Sequence, residues 1–171
     1  MKGYVQVYTG DGKGKTTAAL GLALRAAGAG LKVFIAQFAK GTHTSELDAL
    51  ARFADLVTVR RYGTGRFVRG TPTDEDLRVA REGLDEVRRI LLAGQHDLVI
   101  LDEANVATHL RLLPVDSVLA LIDSRPEHIE LVLTGRNADP RVVEAADLVT
   151  EMHKVKHYFD AGVPARKGIE T

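Results

Sequence analysis

Lys15 and Thr16 stand at the end of a glycine-rich run, Thr9-Gly10-Asp11-Gly12-Lys13-Gly14-Lys15-Thr16-Thr17, and Asp102 and Glu103 close a distant apolar run. An ammonium, a hydroxyl and two carboxylates are the groups needed to hold a polyphosphate and a hard cation. Glycine lets a backbone wrap phosphate oxygens without a Cβ in the way. A lysine such as Lys15 then reaches the phosphates, and the Thr16 hydroxyl can ligate Mg²⁺. An acid at the end of a buried strand, as at Asp102 or Glu103, can hold the same ion directly or through water. The two acids point differently, so only one need touch the metal. Taken alone, each motif also has a plainer reading, a Gly-rich turn with a surface lysine and a solvated acidic turn. The G-x-x-x-x-G-K-[ST] pattern would place its first glycine at Thr9, whereas Gly10 comes one residue late. The combination reads as a nucleotide site.

These groups require elements to carry them. Tyr4 to Tyr8 is β-branched and aromatic, which predicts a strand. Ala19, Leu20, Ala23, Leu24 and Ala27 recur at three- and four-residue steps, which predicts a helix from about Lys15. The first N–H groups of such a helix have no internal partner and carry the positive end of its dipole, a setting for phosphate. Strands follow at 31–38, at 56–62 (more polar, so nearer an edge), at 97–101, at 130–134 and at 147–152. Between them, helices are expected over 45–54, from a Thr73 cap along the stripe Leu77, Ala80, Leu84, Val87 and Leu91, from Pro114 to Asp123, and over 140–146. Alternation of this kind predicts an open, mainly parallel six-stranded sheet with helices on both faces, a P-loop NTPase-like α/β fold. In such sheets ligands bind at the carboxyl ends of the strands. Phe67, in the basic loop 63–70, lies at that edge as a ligand contact or as an anchor for the loop. Arg136, after the strand at 130–134, either pairs with phosphate or is a surface arginine. His153 and His157 are spaced for metal on a helix, but Gly162 and Pro164 argue for a loop there.

The 171 residues suit one domain spanning 1–171, with the segment from about 153 packing near the site. Lys+Arg 23 balances Asp+Glu 23, so no global field favours nucleic acid or an anionic membrane. No run is long enough to span a membrane, and no signal peptide is expected before the first strand. Absence of cysteine excludes disulfides, thiolate metal sites and cysteine nucleophiles, and fits a cytoplasmic location.

The run from Thr9 to Ala19 resembles the variant P-loop of the P-loop-type ATP:corrinoid adenosyltransferases, TGNGKGKTTAA, with Asp11 in place of asparagine and the displaced glycine shared. Val99 to Glu103 resembles their VVLDE segment, Thr134-Gly135-Arg136 their TGR, and Val155 to Val163 their VKHxFDAGV motif. The likeness runs in order through nearly the whole chain, and the last motif is not shared by generic P-loop enzymes. It implies transfer of the 5′-deoxyadenosyl group of ATP to a reduced Co(I) corrinoid, with release of triphosphate. Cobalt is then the nucleophile, so the protein supplies position and charge rather than a nucleophilic side chain. By the same resemblance, the loop N–H groups, Lys13 and Lys15 hold the triphosphate with a Mg²⁺ on Thr16 and Glu103. Asp102 assists through water or orients its neighbours, and Phe67 crowds the cobalt face to displace an axial ligand. The tryptophan of some members is Arg69 here, which leaves open how the lower ligand is displaced or points to incomplete corrinoids. The resemblance also implies a homodimer and an external electron donor such as a flavoprotein reductase. The first strand begins almost at Met1, so the N-terminal extension of some members is expected to be missing.

Rival readings predict different products. A P-loop hydrolase or kinase would form ADP with Glu103 orienting water, and a non-catalytic ATP-binding module would form nothing. A nucleic-acid ATPase lacks the expected basic stripe.

Overall fold

Apolar runs of five or six residues become the central strands here because both of their faces are covered, whereas the four-residue edge strand at 148–151 is exposed along its length. The computed structural model describes residues 1–39, 44–65, 68 and 70–170. Its strands are β1 (Val5–Thr9), β2 (Val33–Phe38), β3 (Val57–Tyr62), β4 (Leu98–Asp102), β5 (Glu130–Thr134) and β6 (Leu148–Glu151). They form one sheet in the order β3-β2-β4-β5-β1-β6, and every pairing is parallel. The helices are α1 (Lys15–Gly28), α2 (Ser45–Leu50), α3 (Asp74–Ala93), α4 (Ala104–His109), α5 (Val115–Asp123) and α6 (Pro140–Glu144).

Side chains alternate across the sheet with period two, and the two faces have separate cores. Phe34, Ala36 and Phe38 of β2, with Val99, Leu101, Leu131 and Leu133, pack on the face shared by α3, α4 and α5. Val33, Ile35, Leu98, Ile100 and Val132 pack on the opposite face against Ala19, Ala23, Ala26 and Ala27 of α1. Burying each large aliphatic or aromatic side chain contributes about 1.5–3 kcal/mol, so a sheet buried on both faces is the rigid part of the molecule. Parallel strands have one further consequence. All six carboxyl ends open onto one edge, where the Gly-rich loop, the acids and Arg136 emerge.

β3 lies at an edge, as its polar residues predict. Thr73 caps α3 through a capping box, its Oγ1 accepting from the Asp76 N–H while Asp76 Oδ2 accepts the Thr73 N–H at 2.9 Å. Asp76 also accepts from Thr64 Oγ1 at 2.7 Å, so it is buried rather than part of a solvated first turn. The core stripe of α3 is as expected except that Leu77 is only partly buried, and Gly83 joins it. α4 has no counterpart in the sequence reading. It has six residues, no proline or side-chain cap at its start, and is held by burial of Ala104 and Ala107. Lys40, Gly41 and Thr42 of an expected turn, and Arg66, Phe67 and Arg69 of the loop after β3, lie outside the described residues.

Candidate active site

The amino end of α1 differs from that of α3 in the way an anion site requires. Gly14 occupies its N-cap at φ +120° with no side-chain cap, and no acid stands in the first turn. Its first N–H groups and the positive dipole end are left to an external acceptor. Lys15, 8% exposed, curls back into the loop and donates to the carbonyl oxygens of Gly10 and Gly12 at 2.7 and 2.6 Å. An ammonium has three N–H donors, so one remains for a ligand. Burial, reinforced by Arg136, holds the Lys15 ammonium below its ordinary pKa, while Glu103 and Asp11 oppose the shift. Arg136 and Glu103 therefore stand close enough to act on Lys15, and both line the same cleft.

The loop is shaped from behind by the chain after β6. The Gly12 N–H donates to the Met152 carbonyl at 2.6 Å, and the Met152 N–H to the Thr9 carbonyl at 2.9 Å. Asp11 Oδ1 accepts from the Lys154 N–H at 3.0 Å, a bond that holds its carboxyl below the usual range. A Cβ on Gly10 or Gly12 would stand 2.5 or 2.7 Å from the Met152 carbonyl oxygen. At positions 10 and 12 the missing Cβ also leaves room for the 152–153 backbone, a packing role the sequence did not announce. Gly14 is required for its positive φ, with only the Met152 sulfur within contact of a Cβ. Thr9 ties in the next strand's loop, its Oγ1 accepting from the Ala138 N–H at 3.3 Å. Thr17 faces the cleft one residue beyond Thr16.

Thr16 and Asp102 meet across the end of β5. Thr16 Oγ1 donates to Asp102 Oδ1 at 2.8 Å, and Thr134 Oγ1 donates to the same oxygen at 2.7 Å. Asp102 is fully buried, with Gln37 Nε2 at 3.4 Å from its second oxygen. Glu103 adopts φ +61°, which turns it away from the direction of Asp102, and its N–H donates to Thr134 Oγ1 at 3.0 Å. Thr16, Asp102 and Glu103 supply hard oxygen donors beside a phosphate loop, the chemistry that suits Mg²⁺. Among the described residues no group of three His, Asp or Glu side chains is set to hold a metal unaided. Gln37 was missed in the sequence and Thr134 stood out only within the Thr134-Gly135-Arg136 run, because nothing in a threonine or glutamine at the end of an apolar strand marks it as a carboxylate partner.

Lys13 is placed differently from Lys15. Its Nζ lies 2.8 Å from Glu170, 3.1 Å from Tyr158 Oη and 3.0 Å from the Ile169 carbonyl. The cleft holds about 1000 Å³. Its lining includes the cations Lys13, Lys15 and Arg136 and the apolar side chains of Leu20, Leu24 and Phe53. Thr44, also on its lining, has a buried hydroxyl with no hydrogen-bond partner among the described residues. His153 and His157 do not share a helix; the segment after β6 contains a single 3₁₀ turn, Tyr158–Ala161.

A KaiC-like protein of the archaeon Pyrococcus horikoshii superposes with a TM-score of 0.58 at 18% identity, over 88% of this chain and 73% of that one, which shows the fold. The sequence is 40% identical to a corrinoid adenosyltransferase of Pseudomonas aeruginosa over 99% of this chain and 84% of that protein. It is 38% identical to the corrinoid adenosyltransferase of Escherichia coli K12 over 99% of this chain and 86% of that one. The family model for ATP:corrinoid adenosyltransferase BtuR/CobO/CobP matches residues 1–171. The open parallel sheet, the uncapped helix behind the glycine loop and these full-length matches agree, and the chain belongs to the ATP:corrinoid adenosyltransferase family.

Proposed function

We propose that the cleft carries out the transfer that gives this family its name, with the residues of the α1 amino end holding the triphosphate of ATP. The supporting observation is the junction of Lys15, Thr16 and Asp102, where an uncapped helix start, a buried ammonium and a buried carboxylate meet. The Co(I) of the corrinoid supplies the electron pair for a new Co–C5′ bond. The C5′–O bond of ATP breaks, and triphosphate leaves with that bond's pair. The leaving group gathers negative charge as the bond breaks, so fixed cations nearby favour the transition state over the ground state. Lys15, with one N–H unspent, and the first N–H groups of α1 answer that charge from the loop, and Arg136 answers it from the end of β5. Thr16 and Glu103 hold Mg²⁺, with Asp102 orienting the Thr16 hydroxyl. When bound, the ion neutralises phosphate charge. The apolar side chains of Leu20, Leu24 and Phe53 offer a surface suited to a flat macrocycle or an adenine ring.

Phe67 crowds the cobalt face from the loop after β3, a role supported by the family likeness of that position. A homodimer and an electron donor such as a flavoprotein reductase rest on the family likeness, and a cytoplasmic location rests on the absence of cysteine. Among the described residues no helix is long and apolar enough to cross a membrane.

The test is an anaerobic assay with Mg·ATP and chemically reduced cobalamin. A light-sensitive adenosylated corrinoid with equimolar triphosphate is the expected result. ADP or orthophosphate with an unchanged corrinoid spectrum would refute it.

A further inference from the structure

Lys13 carries three donors, and all three point at acceptors from the end of the chain. In this arrangement it has none left for a phosphate, although it lines the cleft beside Lys15. The carboxylate that takes one of them, Glu170, is only 17% exposed at its side chain. A second cation shares it. Arg166 reaches Glu170 through Nε at 3.2 Å, Nη2 at 3.1 Å and its own backbone N–H at 2.8 Å. The Arg166 guanidinium also stacks 4.9 Å from the centre of the Tyr158 ring, whose hydroxyl donates to Glu170. Arg166, then Lys13 and Tyr158, hold the Glu170 carboxyl far below the usual range, so it stays charged. Two cations and one anion leave the cluster with a net positive charge at the mouth of the phosphate loop.

A carboxylate here occupies the position of a ligand anion. It offers one charge and two oxygens, where a terminal phosphate offers about 1.5–2 charges and three acceptor oxygens. We propose that Glu170 is a built-in occupant of the Lys13–Arg166 cluster, a latch that the substrate's polyphosphate displaces, releasing residues 158–170 from the loop. This deepens the reading of the cleft as a triphosphate site and rests on it. Lys13 is thereby spent on the chain end in the free protein and becomes a phosphate ligand only after exchange. The cost of the exchange falls on every polyanion that enters, and weakly charged anions do not meet it.

The probe is inorganic triphosphate, read by calorimetry and by trypsin cleavage after Arg166 and Lys167, both of which lie on the exposed surface. Triphosphate is expected to speed cleavage of the wild-type chain at these bonds. Glu170→Gln, which keeps the shape and removes the charge, is expected to be cut quickly without ligand. It should also bind triphosphate about two- to five-fold more tightly, the range of a partly exposed ion pair. That gain should vanish in a Lys13→Met background. Arg166→Gln, which removes the other cation, is expected to speed cleavage after Lys167 in the free protein. Protection of the segment by triphosphate, or unchanged or weaker binding by Glu170→Gln, overturns the latch while leaving the phosphate site intact. Triphosphate binding no better in wild type than in Lys15→Ala overturns the phosphate-site reading, and the latch with it.

Discussion

Asp102→Asn separates the structural work of this carboxylate from its work on the metal. The fully buried Oδ1 accepts two short hydroxyl bonds, from Thr16 at 2.8 Å and Thr134 at 2.7 Å. An asparagine oxygen keeps both, but each becomes neutral. Hydrogen bonds to a charged group are worth about 1.5–3 kcal/mol and neutral ones about 0.5–1.5, so two of them lose about 2 kcal/mol together. At this chain length that lowers Tm by about 4–8 °C. The new amide also faces the Gln37 amide, which must flip to accept. The effect on metal binding is of another size. Loss of a group that orients a metal ligand weakens affinity about 10–100-fold, so the Mg²⁺ concentration giving half-maximal rate should rise by that factor. Initial rates of adenosylated corrinoid formation, taken at saturating ATP with chemically reduced cobalamin across a Mg²⁺ series, measure it. Thr16→Val should displace the half-saturation point at least as far, because it removes the proposed metal ligand itself. A Tm lowered as expected with an unmoved Mg²⁺ half-saturation point would refute a metal-site role and leave Asp102 a structural anchor.

Gly12→Ala places a Cβ 2.7 Å from the Met152 carbonyl and 2.8 Å from the His153 carbonyl carbon, so the loop must shift. kcat/KM for ATP should fall by about 100-fold, the size of an ångström-scale misplacement. Gly83→Ala puts its Cβ 2.3 Å from Tyr62 Cγ on a ring already packed 5.4 Å from Phe38. Overpacking costs about 1–3 kcal/mol and helix propensity returns about 1, so thermal unfolding should show a net loss of up to about 2 kcal/mol. His96 has a buried Nδ1 without a partner among the described residues, and burial, then Lys32, depresses its pKa. The unfolded chain therefore binds this proton first, and stability present above about pH 6.5 is lost as the pH falls below it. His96→Phe should flatten the Tm profile between pH 7 and 5 and match wild type at pH 8; an unchanged acid slope would exclude His96 as its source.

The sequence by itself determined the order and type of every strand, because apolar runs and glycine or proline boundaries are local signals. It also determined that Lys15, Thr16, Asp102, Glu103 and Arg136 would share one edge, since parallel strands put all their carboxyl ends together. Tertiary structure alone decided what packs against the glycines. Gly10 and Gly12 answer to a backbone some 140 residues away in sequence, and no local pattern carries that information. α4 escaped notice because six residues without a cap are helical only by packing, and the burial of Asp76 depends on Thr64, twelve residues back across a loop. The partners of Asp102, Thr134 and Gln37, were likewise invisible, since hydrogen bonds between strand ends depend on sheet order rather than on spacing. Lys13 shows the division most plainly. As a residue type in a phosphate loop it reads as a phosphate ligand, but the path of the final segment brings a carbonyl, a phenol and a carboxylate onto its three donors. Spacing announces which groups can meet an anion; only the fold settles which anion they meet first.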